Sequence, residues 1–204
     1  MVHTREPNAR RAGRFGLIRD KAGCAWALRD DVPDDVAAEV EKLACEEPPI
    51  RNPFDTPLHA EKYLALLGGK SGAGPEFTFP DRIEVDGDVA RVSALPMLER
   101  HFRGWTADEI PEREPIMAMM DGGYAVSVCF CARLSDEAAE AGVETASAFR
   151  GRGFAPRVTA AWAAAIRASG RVPLYSTAWT NIESRAVARK LGLILRAVTW
   201  GIGD

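Results

Sequence analysis

The sequence contains few of the residues that bind metals or build disulfide frameworks. It has 204 residues, with only four cysteines and three histidines. The histidines His3, His59 and His101 lie far in sequence from each other and from the cysteine pair Cys129 and Cys131. A zinc site needs more such ligands at short, characteristic spacings. We therefore expect free thiols and no metal site.

Long apolar runs and an excess of positive charge are also missing. No segment approaches the roughly 20 apolar residues that a membrane-spanning helix needs. Residues 1–11 lack the apolar middle of a secretory signal. The formal net charge of -3 gives no basic field that favours nucleic acid. We expect a cytoplasmic protein that binds neither membranes nor nucleic acid.

Apolar periodicity and turn residues predict a mixed α/β fold. Residues 1–13 are polar and basic, which predicts a disordered tail. Residues 15–28 predict a hairpin, residues 33–69 predict two helices, and the stretch Gly68 to Gly74 predicts a flexible loop. From residue 116 the pattern predicts strand, strand, strand, helix, strand, helix, strand.

One run of residues points to a ligand. Residues 145–155 join a predicted strand to a predicted helix, and Gly151 and Gly153 alternate with Arg150 and Arg152. Glycines let backbone N–H groups approach a ligand, and a helix begins with unpaired N–H groups that favour phosphate. This pattern alone is also typical of an ordinary strand-to-helix turn. The P-loop and dinucleotide fingerprints are both absent.

Two motifs together are more specific. The run from Arg150 to Ala155, Arg-Gly-Arg-Gly-Phe-Ala, resembles the Arg/Gln-x-x-Gly-x-Gly/Ala motif of the GNAT N-acetyltransferases. The later run from Asn181 to Leu193, with Lys-Leu-Gly before its apolar end, is similar to the second motif of that superfamily. The resemblance covers residues 116–200. It implies a GNAT fold, a mixed central sheet flanked by helices, here with an N-terminal helical and hairpin extension.

The same resemblance implies a domain organisation and a cosubstrate. We expect a single domain over residues 14–204, in which residues 116–204 form the core that binds acetyl-CoA and residues 14–115 form the acceptor side. Residues that the resemblance assigns to acetyl-CoA binding are Val143, Thr145, Arg150, Gly151, Arg152, Gly153, Phe154, Ala155, Asn181 and Ser184. Backbone groups of Val143 and Thr145 would pair with the pantetheine arm.

The activity that the resemblance implies is direct acetyl transfer to an amine. Amines are mostly protonated at neutral pH, so a carboxylate is needed as general base. Glu140 is the first candidate, because it resembles an acidic position before this strand in part of the family, and Glu144 is the alternative. On a strand the two share one face, while Val143 and Thr145 point to the other.

The sequence departs from the family pattern at one position. A tyrosine that often serves as general acid is replaced by Ala188. Ser184, one turn earlier, is the candidate that would take its place, and Tyr175 is a second one. A coenzyme A thiol is a good leaving group, so the reaction could also proceed without a dedicated acid.

The acceptor is the least determined feature. The chain resembles bacterial antibiotic-resistance acetyltransferases, including those of kasugamycin, and the acidic stretch from Asp30 to Glu61 suits a polycationic small molecule. An aminoglycoside-type acceptor is therefore expected. The alternatives are a peptide or protein amine, or a module that binds acyl-CoA without catalysis. If the chain assembles with itself, a homodimer is the default.

Overall fold

A computed structural model describes residues 13–85 and 87–204. The predicted disordered tail, residues 1–13, lies outside these residues except for Gly13. The chain divides into two compact units. The first comprises Thr78–Tyr175 and Glu183–Ile194, and the second comprises the described residues up to Phe77, Ser176–Ile182 and Leu195–Asp204. The single domain over residues 14–204 stays a prediction.

Strands and helices are interspersed along the chain. In order they are β1 (Phe15–Arg19), β2 (Cys24–Leu28), α1 (Asp34–Cys45), α2 (Ala60–Leu67), β3 (Lys70–Thr78), β4 (Ala90–Val92), α3 (Glu109–Glu112), β5 (Ile116–Asp121), β6 (Tyr124–Leu134), β7 (Ala138–Thr145), α4 (Phe154–Ala168), β8 (Val172–Ser176), α5 (Ile182–Lys190) and β9 (Ile194–Gly203). Short 3-10 helices span Leu95–Met97 and Ser147–Phe149. The predicted mixed α/β fold is confirmed, including the order of elements after residue 116.

The first unit contains a mixed sheet with the strand order β8-β7-β6-β5-β4. Neighbouring strands from β4 to β7 are antiparallel, whereas β7 and β8 are parallel. The central strand β6 is buried on both faces. Cys129 interacts with Thr159 of α4, while Val128 and Phe130 belong to an apolar cluster with Phe102 on the opposite face. This two-sided burial explains why β6 is a continuous apolar run rather than an alternating one.

The second unit is organised by strands β2-β1-β9-β3. Strand β1 pairs antiparallel with β2 and with β9, which confirms the predicted hairpin. The core of this unit contains Phe15, Tyr63 and Trp200, and the Tyr63 ring centre lies 4.8 Å from Phe15 and 5.8 Å from Trp200. Aromatic pairs at such distances add to the stabilisation that apolar burial provides.

One prediction for this unit is wrong. The stretch Gly68 to Gly74 is not a flexible loop, because β3 begins at Lys70. A Cβ atom on Gly74 would overlap the carbonyl group of Thr177. Glycine therefore allows a close approach of two backbone segments here, which a sequence pattern cannot distinguish from loop flexibility.

Candidate functional site

The loop before α4 has the geometry of an anion site. Gly151 and Gly153 adopt the left-handed φ values of 75° and 78°, and Gly153 is the N-terminal cap of the helix. No side chain caps α4, so its first N–H groups have no intrahelical or capping partner. A Cβ atom at either glycine would meet no other atom within 4 Å. The positive end of α4 therefore opens onto free space beside the loop.

Two arginines brace this loop. Arg150 donates a hydrogen bond from Nε to the Thr145 carbonyl oxygen at 3.3 Å. Arg152 donates to the Ala148 carbonyl oxygen at 3.1 Å, and its guanidinium lies 4.9 Å from the Phe149 ring centre. Both side chains are exposed. They fix the path of the chain from β7 to α4 and add positive charge where the helix dipole already favours an anion.

The strand that leads into this loop has an unpaired edge. Strand β7 pairs with β8 only over Ala138–Glu140, although β7 continues to Thr145. The Glu137 carbonyl oxygen accepts from Val172 on the β8 side, whereas the Ala146 N–H donates to Val126 on the β6 side. Because backbone groups alternate along a strand, those of Val143 and Thr145 face the side where, within the described chain, β8 pairing has ended. An extended ligand can pair there.

Side chains of β7 separate onto two faces. Thr145 points towards α4 and shares a 2.8 Å hydroxyl hydrogen bond with Ser127. Glu144 points to the opposite face, where the side chain of Trp105 and the charges of Arg113 and Glu109 act on its carboxylate. Glu144 keeps an exposed surface, but the neighbouring protein atoms remove much of its hydration. That burial raises the pKa of Glu144, an effect that Arg113 and Trp105 partly offset.

The other candidate base has different surroundings. Glu140 accepts a 2.8 Å hydrogen bond from Arg133, in an ion pair where the glutamate side chain is 17% exposed. Glu140 also lies in the part of β7 that is paired with β8, opposite Leu174. The two candidates thus occupy different ends of the strand, and only Glu144 lies beyond the paired region.

The candidate general acids contact each other. The hydroxyl groups of Tyr175 and Ser184 are 2.7 Å apart, and burial raises the pKa of Tyr175. Ala188 is buried in α5. Asn181 belongs to the second unit, where its N–H donates to the Ala178 carbonyl oxygen at 3.0 Å. The roles of Asn181 and Ser184 stay predictions.

The acidic stretch of the second unit contains a carboxylate with a structural role. Glu47 is 6% exposed. Its oxygens accept from the N–H groups of Leu58 and His59 at 2.8 and 2.9 Å and from the Tyr63 hydroxyl at 3.1 Å. Arg19 lies 3.9 Å away. These contacts occupy Glu47 and leave it no role in binding a cationic acceptor.

Two residues of the site were missed by sequence reasoning. Glu109 and Arg113 form an ion pair of 3.1 Å one turn apart, and both influence Glu144. The i, i+4 spacing of opposite charges is their only signal in the sequence, and it indicates a helix surface rather than a site.

Neither a metal cluster nor a membrane span is found in residues 13–85 and 87–204. These residues contain no group of three or more His, Cys, Asp or Glu that could hold a metal ion. None of their helices has the length and apolar composition that crossing a membrane requires.

Comparisons with known proteins agree with the geometry. Residues 117–198 match the model of a family described as GNAT acetyltransferase. No curated protein matches the chain. Among solved structures, one described as a GNAT-family acetyltransferase from Novosphingobium aromaticivorans is 18% identical, with a TM-score of 0.55, over 66% of each chain.

Two further solved structures are similar. A GCN5-related N-acetyltransferase-like protein from Streptococcus suis is 14% identical, with a TM-score of 0.52, over 96% of this chain and 86% of that one. A GCN5-related N-acetyltransferase from Kribbella flavida is 18% identical, with a TM-score of 0.54, over 72% and 64%. The chain thus spans slightly less than two thirds of the Novosphingobium and Kribbella proteins. It has the fold of the GNAT acetyltransferases, and its residues 117–198 carry the sequence pattern of that family.

Proposed function

We propose that the chain transfers the acetyl group of acetyl-CoA to an amine. The observation that carries this proposal is the unpaired edge of β7, which leads directly to the uncapped N-terminus of α4. An extended, amide-bearing arm can pair with a strand edge, and a pyrophosphate suits a helix N-terminus. Coenzyme A contains these two parts joined in this order.

The residues of the loop fit such a ligand. The backbone of Val143 and Thr145 would pair with the arm, and the amides of Gly151–Ala155 would hold the pyrophosphate. The open space above Gly151 and Gly153 supports this assignment, because a side chain at either position would fill the space that the pyrophosphate needs. When bound, acetyl-CoA supplies the thioester that carries the acetyl group.

We propose Glu144 as the general base. The acceptor must lose a proton before its nitrogen can attack, and a carboxylate whose pKa is raised towards neutrality accepts that proton more readily. The pKa of Glu144 is raised by burial, whereas the charge of Glu140 is neutralised by Arg133 at 2.8 Å. Glu140 is the alternative.

A dedicated general acid is not part of the proposal. The side chain of Ala188 has no acidic proton. The hydroxyl group of Ser184 is hydrogen-bonded to the hydroxyl group of Tyr175 at 2.7 Å. Ser184 stays the candidate for a general acid if the reaction uses one. A coenzyme A thiolate, as a good leaving group, can take its proton from water.

For the acceptor we propose an amino sugar of the aminoglycoside type, such as kasugamycin. The carboxylate of Glu144 beside the indole of Trp105 suits an ammonium group, which binds both carboxylates and aromatic surfaces. A peptide amine would satisfy the same chemistry and is the alternative. The cytoplasmic location, the lack of a nucleic-acid partner and the homodimer stay predictions.

The test is a thiol-release assay with acetyl-CoA against amino sugars, polyamines and peptides. Wild-type protein should release thiol with at least one amine, and Glu144→Gln should lower turnover about 100- to 10,000-fold while the Kd for CoA changes little. A comparable loss with Glu140→Gln alone would move the base to Glu140. Binding of CoA without thiol release from any acceptor would favour the non-catalytic module.

A further inference from the structure

Arg113 lies at the centre of a contact cluster on the Glu144 side of the sheet. Its guanidinium carbon is 5.2 Å from the ring centre of Trp105 and 5.1 Å from that of Phe130. These two rings are themselves 4.8 Å apart in an edge-to-face arrangement. The Arg113 side chain is only 18% exposed. Packing against both rings therefore fixes a cation that would sample many rotamers on an open surface.

A buried carboxylate completes this arrangement. Glu109 accepts from Arg113 at 3.1 Å through Oε1, and its Oε2 accepts from the Thr106 N–H at 2.7 Å and the Thr106 hydroxyl at 3.2 Å. Glu109 is 6% exposed, so it cannot swing towards solvent. The ion pair with Glu109 of α3 holds Arg113, which caps the C-terminus of that helix, and the two aromatic rings also contact it.

The groups that act on the Glu144 carboxylate belong to one chain segment, residues 105–113. This segment packs on the Glu144 face of the sheet, because Arg113 contacts Phe130 and Phe130 lies opposite Gly142, two residues before Glu144 on the same strand face. Arg113 attracts its negative charge, Glu109 repels it, and the Trp105 side chain also favours the ionised form. The β6 residue opposite Glu144 is the apolar Val128. Arg113 thus supplies the positive charge that counters both the desolvation of Glu144 and the field of Glu109.

We propose that Arg113 is a positioning residue for acetyl transfer, which keeps the Glu144 carboxylate ionised and fixed in orientation. This inference rests on the proposed function. In the reaction, the acceptor ammonium gives one proton to Glu144, and the nitrogen lone pair forms the N–C bond as the C–S bond breaks. The second nitrogen proton is released to water, from which the departing thiolate takes its proton, and Glu144 also returns its proton to water. Without Arg113, the Glu144 carboxyl group would stay protonated up to a higher pH. In that form it cannot accept the proton of the acceptor ammonium.

The test uses Arg113→Met, which keeps an apolar stem against the two rings and removes the charge. The acidic limb of the pH profile of kcat/KM should move to higher pH, so that the loss of activity relative to wild type grows as the pH falls. Arg113→Lys should restore the limb in part. Arg91→Met is the matched control, because Arg91 forms an exposed ion pair with Glu114 at 2.8 Å, and it should leave the limb unchanged.

A second measurement does not depend on activity. The carboxyl carbon of Glu144, followed by NMR titration, should report a higher pKa in Arg113→Met than in wild type. An unshifted titration and an unshifted limb in a folded Arg113→Met protein would overturn the inference and leave acetyl transfer intact. A limb that moves in Arg133→Met instead would also overturn it, because the base would then be Glu140. Failure of the proposed function is a separate outcome, in which wild type releases no thiol.

Discussion

Gly142→Ala should disturb the site through a buried contact between β7 and β6. Gly142 lies on β7 directly opposite Phe130 of β6. A Cβ atom at this position would lie 2.5 Å from Cε2 and 2.6 Å from Cζ of the Phe130 ring. Non-bonded carbon atoms prefer about 3.5–4.0 Å, so the ring would have to move by about 1 Å. It has little room to do so, because Phe130 is 5% exposed and packs on Trp105.

The magnitude follows from two opposing effects. Overpacking a core site costs about 1–3 kcal/mol, whereas replacing glycine by alanine on a strand recovers about 0.4–1 kcal/mol by restricting the unfolded chain. We expect a net loss of about 1–2 kcal/mol, and a decrease in Tm of about 2–8 °C for a chain of this size. Because Phe130 also holds Arg113, a displacement of about 1 Å could lower turnover by up to about 100-fold.

Thermal unfolding and thiol release measured on the same preparation would check both expectations. Gly16→Ala is the matched control: Gly16 also lies on a strand, β1, but a Cβ atom there would meet nothing within 4 Å. This control should melt at or slightly above the wild-type temperature. Equal Tm values for Gly142→Ala and Gly16→Ala would refute the reasoning, because they would mean that the Phe130 ring yields at no cost.

Three further outcomes are expected. Gly153→Asp should abolish stabilisation by CoA in a thermal-shift assay, because it puts a side chain on a residue with a left-handed φ and adds negative charge at the helix N-terminus. A variant that binds CoA with wild-type affinity would contradict the loop assignment. Ser184→Ala should lower stability by about 0.5–1.5 kcal/mol, because it removes the 2.7 Å hydrogen bond between the two hydroxyl groups, whereas Tyr175 keeps the Ser184 carbonyl oxygen as acceptor at 3.3 Å. A turnover that collapses in Ser184→Ala but not in Tyr175→Phe would identify Ser184 as the acid. Glu47→Ala should lower the free energy of unfolding by about 3–5 kcal/mol, because the buried Arg19 then lacks the carboxylate of Glu47 as its counter-charge. Urea denaturation checks this, and a loss below 1 kcal/mol would exclude a structural role for Glu47.

Local sequence determined much of the fold and one half of the site. The order of elements after residue 116 followed from apolar periodicity, and the loop around Gly151 and Gly153 followed from glycines before a helix. Both depend on interactions between residues close in the chain, namely backbone conformation and helix initiation. The unpaired helix N–H groups and the left-handed glycines are consequences of that local chemistry.

Tertiary structure alone decided the surroundings of the two candidate bases. The sequence places Glu140 and Glu144 on one strand face but cannot show that Arg133 pairs with the first. It also cannot show that Trp105 and Arg113 act on the second. These partners lie outside β7, and their contacts arise only when β6 and the segment from Trp105 to Arg113, which includes α3, pack against β7. The pKa of a carboxyl group depends on burial and on charges within a few ångströms. Choosing between the two bases therefore required the folded chain, whereas identifying both as candidates required only the sequence.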